Sequence, residues 1–236
     1  MGDDLIPPDK ANPGGYFESI KINRLNEEIL NKFVPKRLPG IFGNLFTPAR
    51  TLYMQRWLSK IDAEVEIAST EEFDSKIKYF TCQTPFCFKD PRFSYTLPVW
   101  LKNMTDDTEM IVVFRNPADV ISSMVLEAER DSAIRGVKLK FGEKEAFAVW
   151  DAMYQHVLKT FDHAKNKDLW TFINYEQLIS DHKVIADLEV KLGVGINRSF
   201  VDRKLDHGKK DPTKISNENI ARTYQLLCEL STSGKK

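Results

Sequence analysis

Arg115 and Ser123, eight residues apart, have the types and spacing to bind a phosphate group. Residues 111–114 are β-branched or aromatic, which predicts a short buried strand that ends at Arg115. Asn116 is a good N-cap and Pro117 suits the first helical position, so a helix carrying Ser123 should follow. Ligands bind beyond the carboxyl ends of strands in open α/β sheets, and helix N-termini favour anions. The pattern therefore predicts an anion site, although Arg115 could instead pair with a carboxylate.

A second group of charged residues follows another short apolar run. Residues 86–88 (Phe-Cys-Phe) predict a second strand, and Lys89, Asp90 and Arg92 come directly after it. Two neighbouring strands that each end in cations predict a basic pocket at one edge of a sheet.

Together the two stretches resemble the PAPS-dependent sulfotransferase family, where PAPS is the sulfuryl donor 3′-phosphoadenosine 5′-phosphosulfate. The resemblance is carried by Lys89-Asp-Pro-Arg-(x)-Ser-(x)-Thr-Leu-Pro-(x)-Trp100 and by Val112-Val-Phe-Arg-Asn-Pro-(x3)-Ile-Ser-Ser123. It runs in order from Met1 to about residue 230. It implies that Arg115 and Ser123 hold the 3′-phosphate of the donor and that Lys89 supplies the active-site lysine.

Other residues receive roles from the same resemblance. Glu18 ends an Asn-(x2)-Gly-Tyr-Phe-Glu segment like the family's acceptor loop, which makes it a candidate general base. It could equally be a first-turn carboxylate of the helix that follows. Arg92 is a candidate to orient the acceptor or to support Lys89. Arg203 and Lys204, in a late basic loop, are further candidates for the 3′-phosphate.

The family's glycine-rich loop, which grips the 5′-phosphosulfate, has no counterpart in these 236 residues. Residues 193–195 follow a helical pattern, and residues 231–236 form a polar tail without a strand before it. We therefore expect either that the chain begins just past that loop or that it binds its donor differently. Two alternatives to an active sulfotransferase stay open: a non-catalytic remnant that binds adenosine 3′,5′-bisphosphate or a partner, and a nucleotide-dependent phosphotransferase. The second would need a Walker loop and a magnesium-binding carboxylate.

Composition limits the partners, cofactors and cellular location that can be expected for this protein. Lys and Arg together number 34, as do Asp and Glu, which argues against a nucleic-acid binder. The three cysteines have no metal-ligand spacing, so no metal cofactor is expected. No apolar run or signal-peptide pattern indicates a membrane partner or export, so the prediction is a cytoplasmic protein. The acceptor would be a small molecule or a carbohydrate, and the oligomeric state is not indicated.

The rest of the pattern supplies the elements that position these residues. It predicts one domain over residues 1–236, with an N-terminal loop at 1–18 and a polar tail at 231–236. Strands that alternate with helices predict an α/β three-layer sandwich with a mainly parallel central sheet, and the resemblance implies a P-loop NTPase-like sulfotransferase architecture. The predicted helices are 19–34, 49–60, 71–80, 96–104, 143–165, 176–192 and 217–230. A third strand is predicted at 170–175 and a short one at 65–67, residues 36–48 form a basic loop, and residues 126–140 form a charged lid or a solvated excursion.

Overall fold

The chain is mixed α/β and mostly helical (56%), and its computed structural model describes residues 4–9, 12–198 and 217–233. The helices are α1 (Ile20–Leu30), α2 (Gly40–Phe46), α3 (Glu71–Thr81), α4 (Phe93–Leu101), α5 (Pro117–Arg135), α6 (Glu143–Asp162), α7 (Tyr175–Ser180), α8 (His182–Leu192) and α9 (Glu218–Ser233). The strands are β1 (Met110–Phe114) and β2 (Trp170–Asn174). None of the described helices is long and apolar enough to cross a bilayer.

Contacts divide the chain into two compact units. Unit 1 comprises Met1–Asp106 and Met124–His163, and unit 2 comprises Asp107–Ser123 and Ala164–Lys236. Helix α5 therefore begins in unit 2 and ends in unit 1.

The sheet belongs to unit 2 and consists of β1 and β2 in parallel, with Met110 opposite Trp170 and Phe114 opposite Asn174. Two predicted strands and their parallel pairing are thereby confirmed. The prediction that β1 is buried was wrong, because Ile111 and Val113 are 43% and 49% exposed. Since only two strands pair within the described residues, the three-layer sandwich stays a prediction.

The strand predicted at residues 86–88 was wrong. These residues are extended but pair with no strand in the described part of the chain. Their alternation instead stacks Phe86 on Phe88, with ring centroids 5.0 Å apart, and brings Phe88 to 5.9 Å from Trp100. The alternation of Phe86 and Phe88, which predicted a strand, therefore serves aromatic packing rather than pairing with another strand. Residues 65–67 form no strand either.

The helix predicted at residues 49–60 is replaced by a short 3-10 turn, Arg56–Leu58. In an α-helix the amide of Met54 would bond to the carbonyl of Arg50. Here the Met54 amide donates to Glu27 at 2.9 Å, and the Arg50 carbonyl accepts from Arg37 at 3.0 Å. Tertiary hydrogen bonds thus override the local pattern. The helix of this region is α2, within the predicted loop, and the predicted excursion at 126–140 is helical as far as Arg135.

The core of unit 1 combines apolar packing with a buried set of charges. Trp100 is fully buried among side chains of α1, α3 and α4. We call the polar set the Glu27 network; its members are Asn26, Glu27, Arg56, Asp90 and Arg92. Glu27 accepts from Arg92 Nε at 2.8 Å and from Arg56 at 2.7 Å.

Asp90 and Asn26 complete this network. Asp90 accepts from Arg92 and from Asn26, both at 2.9 Å. The amide oxygen of Asn26 accepts from Trp100 Nε1 at 2.8 Å. Burial lowers the pKa of Arg92, but the carboxylates of Asp90 and Glu27 outweigh it and raise the pKa overall, so the guanidinium stays charged.

Replacing Glu27 with Gln should therefore cost much more stability than the same change at its neighbour Glu28. The Gln side chain leaves Arg92 buried without its full complement of negative charge, a loss of about 3–5 kcal/mol. Glu28 is half exposed and pairs with Lys76 at the surface, which is worth at most about 1 kcal/mol. Urea unfolding of both variants measures the two losses, and equal losses would contradict the structural role given to Glu27.

Candidate functional site

Lys89 and Glu18, which sequence assigned to chemistry, form an ion pair in unit 1. Lys89 Nζ lies 2.5 Å from Glu18 Oε1 and also donates to the carbonyl of Tyr16 at 3.3 Å. The Glu18 side chain is 9% exposed, whereas that of Lys89 is 58% exposed. The ammonium is therefore open to a ligand while the carboxylate lies behind it.

Glu18 is held from both sides of its chain segment. Backbone hydrogen bonds from Ile6 to Glu18 at 2.8 Å and from Ile20 to Asp4 at 2.9 Å tie this loop to the N-terminal segment. Its second carboxylate oxygen accepts from Asn23 of α1 at 2.9 Å. The preceding residue, Phe17, has φ of 54°, a left-handed conformation that is costly for a bulky residue. The loop thus holds Glu18 in one orientation, and sequence reasoning missed the contribution of Asn23.

Lys89 is positioned by the residues that follow it. Asp90 and Arg92 belong to the Glu27 network, which joins this turn to α1. Asn23, Asn26 and Glu27 follow one another at helical spacing, so a single face of α1 contacts both Glu18 and the turn after Lys89. The spacing of these buried polar residues was the available sequence signal, and it was overlooked because only apolar residues were used to define the helix face.

Arg92 lies inside this structural network. Its side chain is 4% exposed, and its nitrogens donate to Glu27, to Asp90 and to the carbonyl of Met54. The geometry favours a role in supporting Lys89 over contact with an acceptor, the other role that sequence offered.

A cavity of about 290 Å³ borders the ion pair within unit 1. Lys89 and Lys21 contribute cations to its wall, and Asp4 contributes a carboxylate that accepts from the hydroxyl of Ser19 at 2.8 Å. Aromatic side chains line much of the rest, and Glu18 is not part of the lining. The cavity suits a ligand that has a charged group and an apolar or planar part.

In unit 2, Arg115 follows β1 as predicted and lies among acidic and aromatic side chains. Its guanidinium nitrogens are 3.8 Å from Glu176 and 3.9 Å from Asp119, and its charge centre lies 4.9 Å from the ring of Tyr175. The alternative that Arg115 pairs with a carboxylate is therefore seen. Its side chain is 24% exposed.

Glu176 lies in the first turn of α7 but does not cap this helix. Asn174 caps α7 by accepting from the amide of Gln177. Glu176 instead accepts from the amide of Asn116 at 3.0 Å, at the start of α5. A carboxylate thus already lies where sequence predicted an anion. Ser123 is exposed, and its hydroxyl donates to the carbonyl of Asp119 at 3.2 Å.

Two remaining predictions concern the late basic loop and the absence of a metal cofactor. Arg203 and Lys204 lie outside the described residues. Among the described residues, no group of three or more His, Cys, Asp or Glu side chains has a metal-binding arrangement.

Comparison of the chain with protein-family models, with curated proteins and with solved structures finds no match. Functional inference therefore depends on the chain's own geometry and on the motifs quoted above. Within unit 1, that geometry provides a carboxylate that can accept a proton and an ammonium that can stabilise developing negative charge.

A double-mutant cycle should detect coupling between these two groups. Glu18→Gln, Lys89→Met and the double variant, compared by urea unfolding, should give a coupling free energy of about 1 kcal/mol, because water screens the exposed ammonium. The pair Lys183–Asp187, with both side chains more than half exposed, is the matched control and should show weaker coupling. Equal coupling in both pairs would contradict the special placement of Glu18 and Lys89.

Proposed function

We propose that this chain is a PAPS-dependent sulfotransferase that moves a sulfuryl group from PAPS to an acceptor hydroxyl or amine. The observation that carries the proposal is the contact between Lys89 and Glu18. Two separate motifs, 71 residues apart, supplied these residues as candidates, and their side chains meet at 2.5 Å. A meeting that depends on folding supports a shared role for both.

In the proposed step, Glu18 takes the proton of the acceptor O–H as that oxygen forms its bond to sulfur. The bond between sulfur and the 5′-phosphate oxygen breaks, and its electron pair stays on the phosphate. The Lys89 ammonium stabilises this charge, as cations do in the related phosphoryl transfers. Because Glu18 lies behind Lys89, the step requires Lys89 to release one carboxylate oxygen to the acceptor.

Unit 2 contains the residues that we propose for the 3′-phosphate. We assign Arg115 and Ser123 to the 3′-phosphate of the donor, and the order strand, arginine, helix N-terminus supports this. Arg92 is a positioning residue for Lys89, and Arg203 and Lys204 remain proposed 3′-phosphate contacts. The reaction needs no metal, and we propose a small-molecule or carbohydrate acceptor and a cytoplasmic location.

The proposal extends to the architecture. The parallel pair β1–β2 is joined through α5 and α6, the kind of helical crossover that parallel strands require. This supports a mainly parallel central sheet in a three-layer, P-loop NTPase-like sulfotransferase domain over residues 1–236.

Calorimetric titration with adenosine 3′,5′-bisphosphate tests the donor site. Arg115→Ala should weaken binding by about 1.5–3 kcal/mol, roughly ten- to a hundredfold, because a charge-assisted contact is lost. Arg135→Ala is the matched control, since Arg135, the last residue of α5, also has a carboxylate 3.9 Å away, that of Asp131. Failure of the unaltered chain to bind would overturn the proposal.

A sulfate-transfer assay tests the proposed reaction. It follows labelled sulfate from PAPS, first with water as the acceptor and then with a panel of hydroxyl and amine acceptors. Lys89→Met should slow it by about a hundredfold or more, because a preorganised charge facing the leaving group is removed. Lys21→Met, which removes another cation from the same cavity, should have a much smaller effect. Donor binding without any sulfate transfer would instead support the non-catalytic remnant.

A further inference from the structure

Helix α2 presents a group of large apolar side chains to solvent in unit 1. We call this group the α2 surface; its members are Leu38, Ile41, Phe42, Leu45 and Phe46, which are 43–69% exposed. Ile41 and Leu45, and likewise Phe42 and Phe46, are four residues apart and therefore adjacent on the helix. The rings of Phe42 and Phe46 stack with centroids 6.2 Å apart, so the surface is continuous.

The apolar side chains face outward because the segment is fixed from behind. The guanidinium of Arg37 donates to the carbonyls of Thr47, Pro48, Arg50 and Lys138 and to the side chain of Asn44. At Gly43, a Cβ atom would collide with the carbonyl oxygen of Leu38, so the backbone approaches closely there. The α2 surface is thus held in place by a defined set of hydrogen bonds.

Exposed basic residues lie near this surface. We call Lys36, Arg50, Lys138 and Lys140 the basic rim, and all four are exposed. Arg50 donates to the carbonyl of Lys36 at 2.6 Å, while the amides of Lys138 and Lys140 donate to Asn44 and Pro48. These contacts place the four residues, three of them through main-chain groups, close to α2.

The two segments that meet here contain no carboxylate. Residues 29–61 have six Lys or Arg and no Asp or Glu, and residues 132–142 have three and none. The chain as a whole is neutral, so this concentration of positive charge is local. An apolar centre within a positive rim is complementary to a surface whose interior is apolar and whose head groups are negative.

We infer that the α2 surface binds the face of an anionic lipid bilayer, with Ile41, Phe42, Leu45 and Phe46 entering the interface and the basic rim contacting the head groups. A second copy of the chain fits less well. In a two-fold contact each patch meets itself, which would bring the two positive rims together. The inference departs from the sequence-based expectation of no membrane partner and is independent of the proposed enzymatic activity.

Co-sedimentation with vesicles tests the inference on the full chain. Vesicles of phosphatidylcholine with about a third phosphatidylserine should bind the chain, and pure phosphatidylcholine should bind it far less. Raising the salt from about 0.1 M to about 1 M should release much of the bound protein, because the Debye length falls from about 10 Å to about 3 Å.

Two variants separate the apolar and charged contributions. Phe42→Ser with Phe46→Ser should weaken vesicle binding by about tenfold or more, since both rings lose their apolar environment. Lys36→Ala with Lys138→Ala and Lys140→Ala should weaken it by about a hundredfold, since each cation near an anionic surface contributes about fivefold. Val190→Ser and Lys78→Ala, exposed positions elsewhere, are the matched controls and should bind normally.

Three results would overturn the inference. The first is absence of binding to the anionic vesicles. The second is equal weakening by the control variants. The third is self-association in analytical ultracentrifugation that the Phe42/Phe46 variant abolishes, together with no vesicle binding, which would make the α2 surface an interface between copies. All substituted side chains are exposed, and thermal unfolding by circular dichroism checks that each variant is folded.

Discussion

The arrangement of unit 1 depends on the buried carboxylate of Glu27. Three distant segments meet at it: α1, which carries it, the turn at residues 54–56, and the turn that contains Arg92. A charge removed from water is tolerable only when its oxygens are fully paired, so each segment is held where its donor reaches Glu27. The arrangement of these three segments within unit 1 therefore depends on hydrogen bonds and ion pairs to Glu27 as well as on apolar burial.

This constraint divides the cations of the Lys-Asp-Pro-Arg motif between two tasks. Arg92 forms buried ion pairs with Glu27 and Asp90. Lys89, three residues earlier, instead has an exposed side chain and pairs with Glu18. The same face of α1 holds Glu18 through Asn23. The exposed Lys89 and the buried Glu18 are thus both held by residues of a buried network, which is the preorganisation that the proposed stabilisation of developing charge would require.

Sequence predicted what local patterns determine and missed what depends on tertiary contacts. Strands β1 and β2 and the long helix α6 follow from periodicity, and sequence predicted all three. The predicted helix at 49–60 fails because Glu27 and Arg37 take the backbone groups that the helix would pair, and neither partner is adjacent in sequence. The segment of α2 was predicted as a loop because it contains two glycines and because its apolar side chains face solvent rather than a core. The position of Glu176 depends on the register of β1 with β2, which no single-strand pattern contains.

That register has a consequence for any anion that binds at Arg115. Phe114 and Asn174 are paired, so the residues just past both strands adjoin, and the carboxylate of Glu176 lies between Arg115 and the amide of Asn116. An incoming phosphate must displace this carboxylate and return it to water. Its affinity therefore reflects the difference between two anions for one site, not the full strength of an arginine–phosphate contact. A phosphate carries more charge than the Glu176 carboxylate, and its oxygens can accept from several donors at once. Glu176 is tethered to the backbone, and its oxygen lies 3.8 Å from Arg115. The exchange therefore favours the phosphate only if the phosphate forms closer contacts with Arg115 than Glu176 does.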